Sequence, residues 1–322
     1  MEYLIDYGLF LAKLLTVAAV LAALAGAVGF GLRRLQVARQ GALQIVSLNQ
    51  KYDAMELALK AVVLPRKHFK QRLKELKRFY KCREQAKVRP GETARRRVFV
   101  MNFEGDVWAS AVASLREEIS AILLVATPTD EVILVLESRG GTVHGYGLAA
   151  SQLRRLRERG IPLTVIVDKV AASGGYLMAC VADRIIAAPF AIVGSIGVVV
   201  ELPNFNRFLR DRDIDYEQIT AGEFKRTLSL FGENTEKGRA KVREEIELTH
   251  RLFKEFVQTH RPKVDLAAVA TGEHWYGQRA LDLHLVDAIQ TSDDYLREAR
   301  GSADVYAVAF RQKRGLLPRL FS

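Results

Sequence analysis

Hydrophobic and polar positions follow three different rhythms along the chain. Leu14 to Leu32 is a run of 19 residues without a charge. At about 1.5 Å per helical residue it matches a hydrocarbon core of about 30 Å. From Gln44 to about Lys87 the rhythm is helical, with Met55, Leu57, Leu59 and Val62-Val63 forming a partial apolar stripe. From Arg97 onward, strand and helix patterns alternate. RVFVMNF (97–103), EVILVLES (131–138), PLTVIVD (162–168), DRIIAAP (183–189) and IGVVVE (196–201) read as strands. Helices are predicted over 107–125, 144–158 and 237–257, the last with Val242, Ile246, Phe253 and Val257 at helical spacing. This alternation predicts an α/β layer architecture.

Charge divides the chain further. The net charge is +11, and residues 66–97 hold 14 Lys/Arg against 3 Glu, so this window carries the whole excess. Arg89-Pro90-Gly91 breaks the basic helix. The expected organisation is an anchor at 1–35, a basic helical linker at 36–96, the α/β domain at 97–300 and a tail at 301–322. Ala25-Gly26-Ala27 has the form of a cleavage site, but Glu2 and Asp6 stand where a signal peptide carries cations. The span is therefore read as an uncleaved single-pass anchor. Arg33, Arg34 and Arg39 follow it, which puts the bulk of the chain in the cytoplasm, with the periplasm as the alternative.

The basic segment reads as a solvated helix or a contact with anionic lipid headgroups. Phe69, Phe79 and Tyr80 interleave its cations, but no nucleic-acid partner is expected between an anchor and a catalytic-looking domain. Cys82 and Cys180 are too few for a disulfide framework or a tetrahedral zinc site. No metal-ligand spacing and no phosphate-binding loop is present, so no metal or cofactor is expected.

Two predicted strands end in glycine-rich turns, ESRGG (137–141) and AASGG (171–175). A serine at a helix start, as Ser173 is, most often serves only as an N-cap. The pairing of the turns favours chemistry instead: one supplies a hydroxyl and both supply glycine amides, as acyl transfer requires. A base is needed. Of His68, His144, His250, His260, His274 and His284, only His144 is near either turn, and no Asp in a motif orients it. A Ser-His-Asp triad is thus poorly supported, and Lys225 in AGEFKRTLSLFGENTEKGR (221–239) is the other basic candidate. His274-Trp275-Tyr276 reads as packing near a subunit or domain contact, and Tyr176, Met178 and Cys180 as packed helix residues.

The stretches at 167–199, 221–239 and 270–287 together resemble the SohB-type inner-membrane peptidases of the signal peptide peptidase A family of serine proteases. The resemblance covers roughly residues 97–290 and includes the placement of the anchor. It implies a ClpP/crotonase-like fold, a Ser-Lys dyad and a homo-oligomer acting on peptide or protein substrates such as signal-peptide remnants or membrane-associated polypeptides. By motif, Ser173 looks like the nucleophile, Lys225 like the general base and Ser195 of GSIG like the hydroxyl that positions the lysine amine. Gly140 and Gly174 look like oxyanion donors and Gly141 like a substrate-binding position. A catalytically silent membrane scaffold and a crotonase-type acyl-CoA enzyme are the alternatives.

An ordinary lysine amine has a pKa near 10.4, and lowering it to about 7.5 takes roughly 4 kcal/mol. Burial supplies shifts of that size. The expectation is therefore a dry pocket around the lysine with no carboxylate partner. Two departures from the family pattern stand out: Arg139 replaces a proline at the oxyanion turn, and His284 replaces a glycine before Leu285-Val286-Asp287. A glycine at 284 would favour a left-handed helix cap, a conformation histidine tolerates at a cost.

Overall fold

The structure, a computed structural model, describes residues 41–86 and 95–311. The expected anchor at 14–32, the Arg89-Pro90-Gly91 break and the end of the tail lie outside the described residues. Among the described residues no helix is long and apolar enough to cross a membrane. The chain divides into two compact units, Met1–Gln44 with Phe310–Ser322, and Ile45–Ala309. The described helices and nearly all of the described sheet belong to the second.

The amino-terminal part departs from a single helix. Ala42–Ser47 forms strand β1, rich in β-branched residues at its end, and the Ser47 hydroxyl then accepts from the Gln50 N–H at 3.4 Å. That cap starts helix α1 (Leu48–Val63). Pro65 cannot continue it and disfavours helical backbone at Leu64, which is extended at φ −94°, ψ 147°. A second helix, α2 (Arg66–Ala86), follows. Asn49 ties α1 to the body: its amide donates to the Ala303 carbonyl at 3.1 Å and its oxygen accepts from Val305 N–H at 2.7 Å.

From Arg97 the elements run β2 (Arg97–Gly105), α3 (Val112–Leu123), β3 (Glu131–Ser138), α4 (Val143–Glu158), β4 (Leu163–Val167), β5 (Val170–Ala172), α5 (Gly174–Ala179), β6 (Arg184–Ala187) and β7 (Ile192–Gly194). Then come α6 (Asn206–Arg210), α7 (Glu236–His260), α8 (Leu266–Val269), β8 (His274–Tyr276), α9 (Gly277–Asp282), β9 (Ala288–Ile289), α10 (Ser292–Ser302) and β10 (Asp304–Arg311). The main sheet is parallel, in the order β10-β2-β3-β4-β6-β9.

Both faces of this sheet are covered, as parallel sheets require. Side chains alternate between two cores with period two. Phe99, Met101, Phe103, Leu134, Leu136, Val165 and Ile185 join the larger one, with Leu115 and Ile119 of α3 and Leu153 and Leu156 of α4. Val98, Val100, Ile133, Ile166 and Ile186 point the other way, onto Leu296 of α10 and Leu48 of α1. The apolar residues of α4 recur at Tyr146, Ala149, Ala150, Leu153 and Leu156, which places one stripe on the sheet.

Three sequence expectations need adjustment. The helix predicted over 107–125 starts at Val112, because residues 106–110 form a turn with Ala109 at φ 56°. IGVVVE (196–201) is not a strand: β7 ends at Gly194, whose φ of 99° and the φ of 50° at Ser195 turn the chain away. His284 does adopt the left-handed conformation, at φ 59°, with the Leu285 N–H donating back to Ala280 at 2.9 Å.

Candidate active site

Strand β3 divides its pairing between two ladders. Val132–Val135 pair with β4, whereas Ser138 pairs with Ala171 of β5. Strand β5 continues to β7, and β7 pairs antiparallel with β8. This side branch brings the two glycine-rich turns together, since Gly140 is two residues beyond Ser138 and Ser173 two beyond Ala171. The register Ala172↔Gly194 sets Ser173 and Ser195 at matched ends of adjacent strands. The Ser173 N–H donates to the Gly194 carbonyl at 2.8 Å and locks that end.

Ser173 has φ 52° and ψ −119°, a conformation costing about 1–3 kcal/mol for a residue with a side chain. Its hydroxyl makes no cap hydrogen bond to α5. The N-cap reading therefore fails, and Ser173 is a strained, half-buried hydroxyl with no hydrogen-bond partner among the described residues. The strain is held by packing. Gly140 has φ +90°, and a Cβ there would lie 2.7 Å from both the Ser173 Cβ and the Gly174 nitrogen. A Cβ on Gly174 would meet the Tyr146 ring at 2.4 Å.

Beneath the turns runs a polar chain that sequence reasoning did not single out. The Gly140 N–H donates to Ser138 Oγ at 3.0 Å, Ser138 Oγ and the Tyr146 hydroxyl are 2.6 Å apart, and Tyr146 donates to the Asp106 carbonyl at 2.7 Å. Tyr146 has one proton and gives it to Asp106, so the Ser138 proton points to the Tyr146 oxygen. Burial pushes the Tyr146 phenol up from its ordinary pKa, against the Ser138 hydrogen bond, which lowers it. The ring supports Gly174 while the hydroxyl fixes the Gly140 turn.

This network bears on the amides around Ser173. Gly140 lies at the site, but its N–H is already engaged by Ser138 Oγ. The Gly141 and Gly174 N–H groups make no hydrogen bond among the described residues and are the ones open to an oxyanion. Arg139 is exposed.

Ser173 and Gly174 open onto a cavity of about 550 Å³. Val143 and Leu177, with Leu252, Phe253 and Phe256 of α7, give it a largely apolar lining, and His144 and Thr249 stand among the polar ones. The amphipathic pattern identified Phe253 only as a packing residue. His144 is exposed, and His250 faces the Ile196 carbonyl at 3.1 Å, so no Ser-His pair forms.

Lys225 is not where the sequence expectation required it. It is exposed, is absent from the cavity lining, and its N–H closes a turn onto the Gly222 carbonyl at 3.1 Å. Neighbouring Phe224 is covered by the ammonium groups of Lys237 and Lys241 at 5.7 and 5.6 Å, near the start of α7. The cavity meets that helix only from Thr249 onward. Lys241 to Thr249 is eight residues, about 12 Å of helix. Among the described residues, therefore, no dry pocket surrounds the Lys225 amine.

The remaining candidates are structural. Tyr176 is buried and donates to the Leu285 carbonyl at 3.0 Å. Cys180 is buried, and desolvation pushes its thiol far above the usual range, against thiolate chemistry. Trp275 packs on the core from β8, while His274 and Tyr276 are exposed beside it. Among the described residues no cluster of His, Cys, Asp or Glu has metal-binding geometry.

Comparison with known proteins bears on this geometry. Residues 2–153 match the peptidase family S49 N-terminal model and residues 155–306 match the peptidase family S49 model. A probable protease SohB of Haemophilus influenzae is 47% identical over 325 residues, covering 99% of this chain and 92% of that protein. One from Buchnera aphidicola subsp. Schlechtendalia chinensis is 45% identical over 305 residues, covering 92% and 99%. A mutant of a membrane-bound stomatin-specific protease superposes on 64% of this chain and 85% of its own at a TM-score of 0.43 and 13% identity, too distant to bear on the site. Two family models that together span almost the whole sequence, and relatives matched nearly end to end, lead to one statement: the chain belongs to peptidase family S49, alongside the SohB-type proteases.

Proposed function

We propose that the protein is a membrane-anchored serine endopeptidase on a ClpP/crotonase-like fold, with Ser173 as nucleophile and Lys225 as general base. The observation that carries this reading is the Ser173 turn: a strained residue whose hydroxyl caps nothing, facing an apolar cavity beside the uncommitted amides of Gly141 and Gly174. A neutral lysine amine takes the Ser173 proton as Oγ attacks the scissile carbonyl. The Gly141 and Gly174 N–H groups hold the oxyanion, and the protonated amine serves the leaving group. Water then repeats the attack on the acyl-enzyme. Ser195, at the matched strand end, orients the amine.

The base comes from a neighbouring copy in a homo-oligomer. Lys225 is exposed and a helical stretch away from its own Ser173 cavity, in a segment rich in exposed apolar side chains such as Ile219 and Phe224. Docking would bury it, and burial disfavours the charged ammonium. The apolar cavity fits extended apolar polypeptide, such as signal-peptide remnants or other membrane-associated chains. The run at 14–32 is a single-pass inner-membrane anchor, and the charges after it favour a cytoplasmic catalytic domain.

The test uses the full chain in mild detergent, with model signal peptides and a fluorophosphonate label. The wild type hydrolyses the peptides and takes the label at Ser173. A Ser173→Ala variant that cleaves at the wild-type rate overturns the proposal.

A further inference from the structure

The hairpin of α1 and α2 lies outside the catalytic machinery, and its surface has an ordered asymmetry. Lys67, Lys70, Lys74, Lys77, Arg78 and Lys81 are all exposed and form no ion pair among the described residues. At 3.6 residues per turn they fall within about 100° of the helix circumference, in a stripe about 21 Å long. No acidic residue interrupts it; Glu75 lies off the stripe and faces Arg72.

The opposite face of α2 is the packed one. Phe69, Leu73, Leu76 and Tyr80 are half-buried there. The base of the hairpin is pinned to the body by Arg300, which pairs with Asp53 and with Glu56 at 3.2 Å, and Arg72 adds a bond to Glu56 at 3.3 Å. Its tip is exposed and apolar: Leu59, Val62 and Val63 are 70%, 87% and 77% exposed, beside Lys60, Arg66 and Lys67. A row of unpaired cations leading to an exposed apolar tip matches a layer of anionic headgroups above hydrocarbon. It matches a nucleic acid less well: Phe69 and Tyr80 are half-buried, and the exposed Phe79 lies about 150° around the helix from the centre of the stripe, so none offers the stripe a stacking platform.

We propose that the α1–α2 hairpin is a second membrane contact, lying on an anionic bilayer with its cationic stripe among the lipid phosphates and Leu59, Val62 and Val63 dipping below them. This rests on the anchored reading for the location of the bilayer, and it is independent of the catalytic assignment. In that position the basic segment holds the body at a fixed attitude to the membrane.

The test reports on the tip separately from the anchor. The full chain carrying Cys82→Ser and Val62→Cys is labelled at 62 with an environment-sensitive dye; Cys180 is buried and stays unlabelled. The protein is reconstituted into phosphatidylcholine vesicles with or without about 30% phosphatidylglycerol, and flotation is scored alongside the dye. The expected result is a blue-shifted emission, quenched by nitroxide-bearing lipid, in the anionic vesicles only. Screening with about 0.5 M salt should reverse it. Neutralising Lys67, Lys70, Lys74 and Lys77 to Gln should weaken the tip's engagement by about a hundredfold or more. Flotation with a dye that stays in water, or the same blue shift in lipid-free detergent or on added RNA, overturns the hairpin contact alone. Failure to float even with anionic vesicles overturns both the contact and the anchor.

Discussion

The turns around Ser173 and the segment around Lys225 are built in opposite ways. The first is fixed from all sides: Gly140 and Gly174 are wedged against Ser173 and Tyr146, and a directed chain of hydrogen bonds ends on the Asp106 carbonyl. The second, residues 199–235, is held by amide-to-carbonyl ties such as Asn204 to Ser229 and Gly232 and Asn206 to Phe231, and leaves its apolar side chains in water. Val199 is 76% and Ile219 94% exposed. A monomer does not leave so much apolar surface uncovered without reason. The contrast separates a turn region fixed by its own chain from a segment whose apolar side chains stand exposed, the segment that on the proposed reading docks on a neighbouring copy.

The sharpest way to break this comparison is to remove one group from each region. Ser173→Ala and Lys225→Ala should each lower peptide hydrolysis by about 10⁴-fold or more, since a nucleophile and its base act as a unit. Lys225→Ala should leave the monomer's stability within about 0.5 kcal/mol, as for an exposed side chain. Peptide assays together with chemical denaturation decide the matter, and full activity in either variant refutes the pairing.

Glycine substitutions come next. Gly140→Ala should cost about 3 kcal/mol or more, because the Cβ meets backbone and the φ is positive. Gly222 also has positive φ, +96°, but its Cβ would meet only the Lys225 Cβ at 3.9 Å, so Gly222→Ala should cost only about 1–2 kcal/mol. Equal losses in a denaturation series would mean that the two regions are equally constrained.

Tyr146→Phe tests the polar chain. The ring and its packing on Gly174 remain, while the Asp106 carbonyl and the Ser138 hydroxyl lose a partner. A destabilisation of about 1–3 kcal/mol is expected. The kcat should fall about tenfold with KM within about twofold, because the amide turn loosens rather than the apolar cavity. A rise in KM at constant kcat would assign Tyr146 to substrate binding instead.

The smallest effect expected is the response to acid. Burial raises the Asp130 pKa, but hydrogen bonds from Arg97 and Thr127 override it and hold the carboxyl down to about 2. A carboxylate depressed in the folded state contributes stability above its unfolded pKa of about 3.9, and that contribution is lost as pH falls through the folded value. The Tm should therefore drop between about pH 4 and pH 2, and Asp130→Asn should flatten that drop. Thermal scans across this range check it, and an unchanged slope in the variant contradicts the assignment.

The sequence disclosed the parts of this molecule that depend on local pattern. Short apolar runs located β2, β3, β4 and β6, since each is buried on both faces of a parallel sheet, and the two glycine-rich turns pointed to Ser173. Other features depend on partners that the local pattern does not name. The engagement of the Gly140 N–H follows from Ser138, and Ser138 is held by Tyr146, eight residues on across a turn. The absence of the expected strand at 196–201 follows from positive φ at Gly194 and Ser195, which the residue type of Ser195 does not announce. The break between α1 and α2 is carried by Pro65, just past the apolar stripe that ends at Val63, and the helical rhythm resuming at Arg66 masks it. The exposure of Lys225 was not legible either, because nothing in its local pattern says which surface lies over it, and among the described residues none does.

Completion of the proteolytic site between copies is tested most directly by mixing defective subunits. Chains carrying Ser173→Ala under one affinity tag and Lys225→Ala under another are co-expressed, purified through both tags and assayed on model signal peptides. If Lys225 serves the Ser173 of its neighbour, the mixed oligomers should recover about a quarter of wild-type activity by random assortment of subunits. Mixed oligomers no more active than either variant alone would contradict the account.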